Sequence, residues 1–495
     1  MARYDAVIIG AGLGGLTAGA ILARAGRKIL LVERGNSVGG AASSYKVGEL
    51  FVEGSLHETS NPRDPRNPKH RPLTRAGVLD ALTWVPAKQF YTVRGGPVDT
   101  PFALPDNFSA LRQALAERFP EACSSIAKLL GEMEQIGAAV GAPVRAPSSI
   151  DWSLSLSQKL QQVFGDNEAL KAAVAANLSY YHDNPETTSW ALFAMAQGTY
   201  LLNGGVYVQG GSQRLSSALA RAIRATGSDV FLRRTARAIN LDSNGVVCGL
   251  AHTAKDGSDP QVVETSCVIG NAAPENIASL LPDTRGAELR AVYADRQPSL
   301  SLFALTLGLS KPPREFGIDS YSTQLLPDWM KRFADYSQGT ALMANEPGDR
   351  MPPLAIVDYA AIDSGVPAPP YVLSVVGPDA LINWDGLSQD EYRAKRARWQ
   401  DAIVAYLEKH FTGLSNAVVA SSFNTAFSVR QYLSAPHGSV YGFAPTPSRA
   451  GNLPRQTNVT PITGLYLASA YTGLGGYTGV IQSAEACADM ILSQR

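Results

Sequence analysis

At 495 residues the chain exceeds one ordinary core, and its length predicts two or three domains built in part from interleaved segments. Apolar residues at 45% and charged residues at 17%, with 45 Gly and 31 Pro, exclude a disordered or collagen-like chain and describe a well-buried globular protein rich in turns. Lys plus Arg and Asp plus Glu balance at 43 each, so no global field draws the protein to nucleic acid or to a polyanionic substrate, and no aromatic–basic interleaving suggests nucleic acid either.

The four cysteines, Cys123, Cys248, Cys267 and Cys487, have no CxxC or CxxH spacing. The expectation is buried structural thiols in a reducing compartment, with neither a disulfide framework nor a metal site. The start of the chain lacks a basic stretch, apolar run and cleavage site, and apolar runs such as Leu300–Leu309 are far shorter than the roughly 20 residues of a membrane-spanning helix. A cytoplasmic location is expected, with membrane association left open through an apolar patch assembled from distant segments.

In chain order, Asp5–Gly10 is a short apolar run with β-branched residues, the pattern of a strand buried on both faces of a parallel sheet. Gly10-Ala11-Gly12-Leu13-Gly14-Gly15 follows, then an Ala/Leu-rich helical stretch over Leu16–Ala25, a second strand over Lys28–Val32, and Glu33 at its carboxyl end. The glycines divide the work of the turn. Gly10 permits the sharp reversal, Gly12 lets backbone approach a pyrophosphate, and Gly15 lets the helix pack closely on the strands, with Gly14 in the same turn. The helix N-terminus offers N–H groups and positive dipole to phosphate. Glu33, 18 residues beyond Gly15, can accept hydrogen bonds from a ribose diol. This order of strand, glycine turn, helix, strand and acid predicts a dinucleotide site.

The next segment, Arg34 to Ser43, contains the pair Gly39-Gly40. Glu33 followed by this pair resembles the FAD site of the large flavoprotein group that includes amine oxidases and phytoene desaturases. The resemblance implies FAD as cofactor, with Arg34, Gly39, Gly40 and Ala41 where the chain returns past the pyrophosphate. Relatives carry Arg after the glycine pair, whereas Ala41 here offers no charge.

Asn61–Pro72 is polar and Pro-rich and reads as an exposed loop bordering a substrate entrance, its Arg63, Arg66, Lys69, His70 and Arg71 a solvated basic cluster. Phe108–Leu202 carries helical spacing, for example Leu111, Leu115 and Phe119, then Leu156, Leu160, Val163 and Phe164. Gly204–Ser212 leads into an amphipathic helix over Leu215–Ala225 and strands over Val230–Leu232 and Thr235–Asp242. This order resembles the flavoprotein group again, and implies that Ala236 lies at the adenine side of FAD. Cys267–Pro274, with Asn271-Ala272-Ala273-Pro274, resembles the strand closing this lobe in phytoene desaturases. Gly464–Ala468 is a strand, Ser469–Gly479 a glycine-rich turn and Val480–Leu492 a helix, so that backbone N–H groups point at a negative group. The resemblance makes that group the N1/C2-carbonyl edge of the flavin and assigns Gly475, Gly476, Gly479 and Val480 to it. His437–Phe443 before Thr457–Thr463 resembles the branch of phytoene desaturases, carotenoid isomerases and retinol saturases.

The fold class expected is α/β: a Rossmann-type FAD-binding domain assembled from residues 1–75, 204–292 and 436–495. An interleaved α+β substrate domain (293–435) and a substrate/helical region (76–203) complete it. The resemblance implies an FAD-dependent oxidoreductase that desaturates or saturates an apolar, carotenoid- or retinoid-like small molecule by hydride transfer at flavin N5. It also implies peripheral membrane contact, while the oligomeric state is left undetermined. His57 and Glu58, in Glu53–Glu58, lie where relatives bring the chain past the flavin and are the catalytic candidates, with Tyr207 before Gly210-Gly211 as a third and Tyr477 as a lining residue. The alternatives are a flavin-dependent isomerase or hydratase without net redox change, an amine oxidase, and a non-enzymatic binder resembling prenyl-protein escorts.

Overall fold

The computed structural model describes residues 2–140, 150–448 and 458–494. Its first layer is a five-stranded parallel sheet. Strand β1 (Ala6–Ile9) and strand β2 (Ile29–Val32) are buried at every position, as apolar runs in a sheet covered on both faces must be. Helix α1 (Leu13–Arg24) connects them and is buried continuously from Leu13 to Ala23, packing between helix α4 (Ser212–Arg224) and helix α5 (Gly476–Ser493). Gly19 permits this packing, because a Cβ there would sit 2.8 Å from Ile8 Cδ1 and 3.0 Å from Ile223 Cδ1.

The sheet is completed by strand β3 (Asp229–Phe231) on β2, strand β4 (Val268–Gly270) on β1, and strand β5 (Leu465–Leu467) on β4. One sheet thus draws on three regions of the chain separated by hundreds of residues. A small antiparallel sheet of Arg234–Leu241, Val247–Ala254 and Gln261–Glu264 flanks it. Cys248 is exposed on the outer side of this small sheet, and Cys123 is exposed at a helix start; only Cys267 and Cys487 are the buried thiols expected.

The second layer is a seven-stranded sheet in the order Val418–Asn424, Ser301–Leu309, Tyr371–Asp379, Leu354–Asp358, Ser322–Leu326, Tyr91–Gly95 and Val98–Leu104. The last two strands lie in the 76–203 substrate/helical region, ahead of its helical stretch at Phe108. They join because Tyr91 and Val93 point the same way along a strand and are buried there. The helical part covers one end, where Cys123–Ala139 and helix α3 (Trp190–Asn203) cross at Gly137 and Gly198; a Cβ on Gly137 would lie 2.7 Å from the Gly198 carbonyl carbon. Residues 141–149 of the predicted helical stretch, and Thr457 of the segment Thr457–Thr463, lie outside the described residues.

Asn61–Pro72 is not wholly an exposed loop. Asn67 and Lys69 are buried, and helix α2 (His70–Arg75) begins inside it. Among the described residues no helix is long and apolar enough to cross a membrane, and no His/Cys/Asp/Glu group is arranged to hold a metal ion.

Candidate active site

A cavity of about 3120 Å³ runs from the turn after β1, past Glu33 and Gly39–Ala41, to the start of α5 and on between α3 and the seven-stranded sheet. At its first end, Gly12 and Gly39 form a bridge of parallel backbone, and the Gly39 N–H donates to the Ala11 carbonyl at 2.7 Å. Gly12 is the N-cap of α1 and has no side-chain cap, so the first N–H groups of the helix have only a ligand or solvent to bind. A Cβ at Gly40 would come within 3.3 Å of Gly12 Cα, which shows how closely the two glycine turns approach. The Glu33 carboxylate accepts from the N–H of Ala11 (2.8 Å) and of Gly35 (2.6 Å), which fixes its head at the carboxyl end of β2. Arg34 lines the cavity too, its guanidinium donating to the Tyr432 carbonyl at 2.8 Å. Ala236 lines the cavity beside a register irregularity in its strand, and Gly15 lies off the wall, where its Cβ would be 2.4 Å from the Gly10 carbonyl oxygen.

At the second end, Gly475 caps α5 with no side-chain bond, and Gly476, at φ 75°, has nothing within 4 Å of where its Cβ would be. Gly475 and Gly479 have no such space: a Cβ would lie 2.3 Å from the Tyr441 carbonyl oxygen and 1.8 Å from that of Leu474. The segment His437–Phe443 therefore holds this turn in shape. Tyr477 lines the cavity beside Ser55, 3.2 Å from its hydroxyl, and Val480 closes the wall. Two helix N-termini bare of side chains and joined by one continuous cavity fit a long cofactor with a pyrophosphate at the first and, at the second, a ring edge that takes on negative charge when reduced; Glu33 would accept from the ribose and Gly475–Val480 would face that edge.

Beyond the flavin end the cavity becomes a chamber. Its walls are Phe90, Tyr180, Tyr181, Leu192, Phe193, Met195 and Tyr200 on one side and Leu302, Ala304 and Val376 of the sheet on the other. His57 and Glu58 both line it. His57 Nδ1 is 2.7 Å from the Tyr180 hydroxyl and Nε2 is 3.3 Å from Ser374 Oγ, while its carbonyl accepts from the Tyr321 hydroxyl. Burial pushes the His57 imidazole down to about 4, so the ring is neutral near pH 7, donating at one nitrogen and accepting at the other. Burial, with repulsion from Asp106 as a smaller cause, raises the Glu58 carboxyl to about 8, and its Oε2 is buried with no hydrogen-bond partner among the described residues.

Tyr207, the third catalytic candidate, is off the cavity wall and fully buried. Its hydroxyl donates to Glu53 at 2.9 Å, and Glu53 also accepts from the Ser212 N–H at 3.0 Å and from the Ser212 hydroxyl. Period-two alternation along Gly205–Val208 cannot reveal this, because both faces of that strand are buried. Two cavity-lining positions escape the sequence reading as site residues. Asn271 Nδ2 donates to the Gly10 carbonyl at 3.0 Å and packs against Gly12, Gly14 and Gly15. The signal was its place at the end of β4, next to β1. Thr478 falls in the glycine-rich turn Ser469–Gly479, where no sequence signal marks it beside the glycines, and it lines the cavity.

The chain matches the family model described as flavin containing amine oxidoreductase over residues 13–492, and it belongs to that family. It is an FAD-dependent oxidoreductase of the amine oxidase-type fold group. It is 23% identical over 550 residues to the all-trans-retinol 13,14-reductase of Rattus norvegicus, covering 99% of this chain and 86% of that protein. It is 24% identical over 541 residues to the chloroplastic prolycopene isomerase of Daucus carota, covering 100% and 81%. An oxidoreductase from Methanosarcina mazei shares the fold with a TM-score of 0.67 at 16% identity, over 98% of this chain and 99% of that one.

Proposed function

We propose that this flavoenzyme acts on an extended, apolar, unsaturated molecule of the carotenoid or retinoid kind. The observation that carries this reading is the chamber: aromatic and aliphatic walls, a neutral His57, and Glu58 as a carboxyl that keeps its proton to about pH 8. An ammonium substrate gains an anion here only by drawing the proton off Glu58 and keeping both charges buried, a cost that an uncharged polyene does not meet. The retinol reductase and the prolycopene isomerase, whose names specify polyenes, support the same choice.

When bound, FAD supplies hydride exchange at N5. The protein's own part is to hold the polyene against the sheet face at Leu302, Ala304 and Val376 and to exclude water. Tyr180 and Ser374 lock the His57 ring through both nitrogens, and the start of α5 stabilises negative charge at the flavin edge. Glu58 is a neutral hydrogen-bond donor to whatever polar or π-rich group enters beside it.

The test is anaerobic bleaching of the flavin spectrum by candidate polyenols and amines, together with re-oxidation of dithionite-reduced enzyme by polyenes. Spectral change with a polyene and none with amines is expected; rapid bleaching by amines alone overturns the reading. Glu58 adds a pH signature. Because its pKa is raised, it is uncharged below about 8 and charges as pH rises through that value, so kcat/KM for the polyene falls on the alkaline side. Glu58→Gln, which stays neutral, is expected to flatten that limb. An unchanged limb would remove Glu58 from the site's chemistry.

A further inference from the structure

We propose that Lys69 is the counter-charge for the flavin's N1/C2-carbonyl edge, a positioning residue that acts through Thr478 on the start of α5. Lys69 is 1% exposed, and its ammonium donates to Ser60 Oγ at 2.5 Å and to Thr478 Oγ1 at 2.9 Å. Thr478 lines the cavity between Gly476 and Gly479. Ser60 Oγ is held in place as an acceptor, since Asn67 Nδ2 also donates to it at 3.0 Å.

Among the described residues no carboxylate pairs with Lys69. The acids further along α5, Glu485 and Asp489, are taken by Arg71 and Arg75 of α2, Asp64 is taken by Arg66, and Glu58 on the neighbouring strand side is held neutral. His57 is also neutral. A buried ammonium with hydroxyl acceptors alone is incompletely compensated, and burial accordingly lowers Lys69 to about 7. Negative charge arriving at the N-terminus of α5 supplies the missing compensation and draws Lys69 back to its charged form. The substrate does not enter this inference, so it stands or falls separately from the polyene reading.

The experiment is a sulfite titration of the FAD-loaded enzyme on both sides of neutrality, with the midpoint potential measured alongside. The sulfite electron pair forms an N–S bond at N5, and the resulting negative charge resides at the N1/C2-carbonyl edge, so sulfite affinity reads that charge's environment without any substrate. Lys69→Met is expected to bind sulfite about tenfold more weakly and to have a lower potential. Lys69→Arg is expected to keep both. The wild-type to Lys69→Arg affinity ratio, in which sulfite's own titration cancels, is expected to fall above neutrality as Lys69 loses its proton while Arg does not. Should Lys69→Met fail to retain FAD, that ratio decides: a ratio independent of pH overturns the proposal, as does wild-type sulfite affinity in FAD-loaded Lys69→Met.

Discussion

Gly14→Ala is expected to purify without flavin, with FAD affinity lowered about 100-fold and the fold destabilised by about 1–3 kcal/mol. The reason is geometric. A Cβ at Gly14 would lie 2.2 Å from the Ala468 carbonyl oxygen and 3.0 Å from Asn271 Oδ1. Both neighbours belong to segments that build the cavity: Ala468 follows β5 and leads into the Ser469–Gly479 turn, and Asn271 follows β4. The first is backbone and the second is a side chain held by its hydrogen bond to the Gly10 carbonyl, so α1 must move off the sheet and take its first N–H groups with it. Charge-assisted hydrogen bonds to phosphate depend on those groups being in place. The ratio of flavin to protein absorbance after gel filtration, followed by FAD titration, measures the loss. Full occupancy in the variant would show that the helix start tolerates displacement and that the pyrophosphate is held elsewhere.

Glu53→Ala is the second large effect, with a loss of about 3–5 kcal/mol in unfolding free energy from several buried donors left unsatisfied at once. Glu53 is 4% exposed and takes hydrogen bonds from the Tyr207 hydroxyl, the Ser212 backbone N–H and the Ser212 hydroxyl. It therefore joins the end of Leu50–Glu53 to the first turn of α4, two regions remote in sequence. Truncation leaves these three buried donors and the Leu56 N–H, 3.4 Å from the carboxylate, without an acceptor, each at the cost of desolvation. Glu53→Gln keeps one acceptor oxygen but turns an amide NH₂ toward donors, and an intermediate loss is expected. Urea unfolding followed by fluorescence separates the three proteins. Equal midpoints for wild type and Glu53→Ala would mean that water enters and satisfies these groups, and that the carboxylate is not the tie described.

Tyr207 illustrates how local sequence can mislead about a side chain's destination. Its position before Gly210-Gly211 made it a candidate for the flavin site, yet its hydroxyl points to Glu53, 154 positions away. Lys69 shows the reverse. In sequence it is one member of a basic, Pro-rich cluster, and the structure buries it against Thr478, 409 positions away. Nothing local distinguishes Lys69 from Arg66, which stays exposed and pairs with Asp64 two residues before it.

The glycine turns at the two ends of the cavity are legible from residue order alone. Gly10, Gly12, Gly15, Glu33 and Gly39-Gly40 lie within one βαβ unit and the turn after it, where backbone geometry and N–H direction follow from residue type and spacing over a few dozen positions. The same holds for Gly475–Val480, whose glycines open a helix at the end of a strand. The chamber emerges only on folding: Tyr91–Gly95 and Val98–Leu104 join a sheet made mostly of residues beyond 300, Glu58 stays neutral, Lys69 is buried, and Asn271 meets Gly10. Burial, ionisation and cross-sheet contact depend on which remote segments are brought together, and that depends on packing the whole chain rather than on the spacing of residues within any part of it.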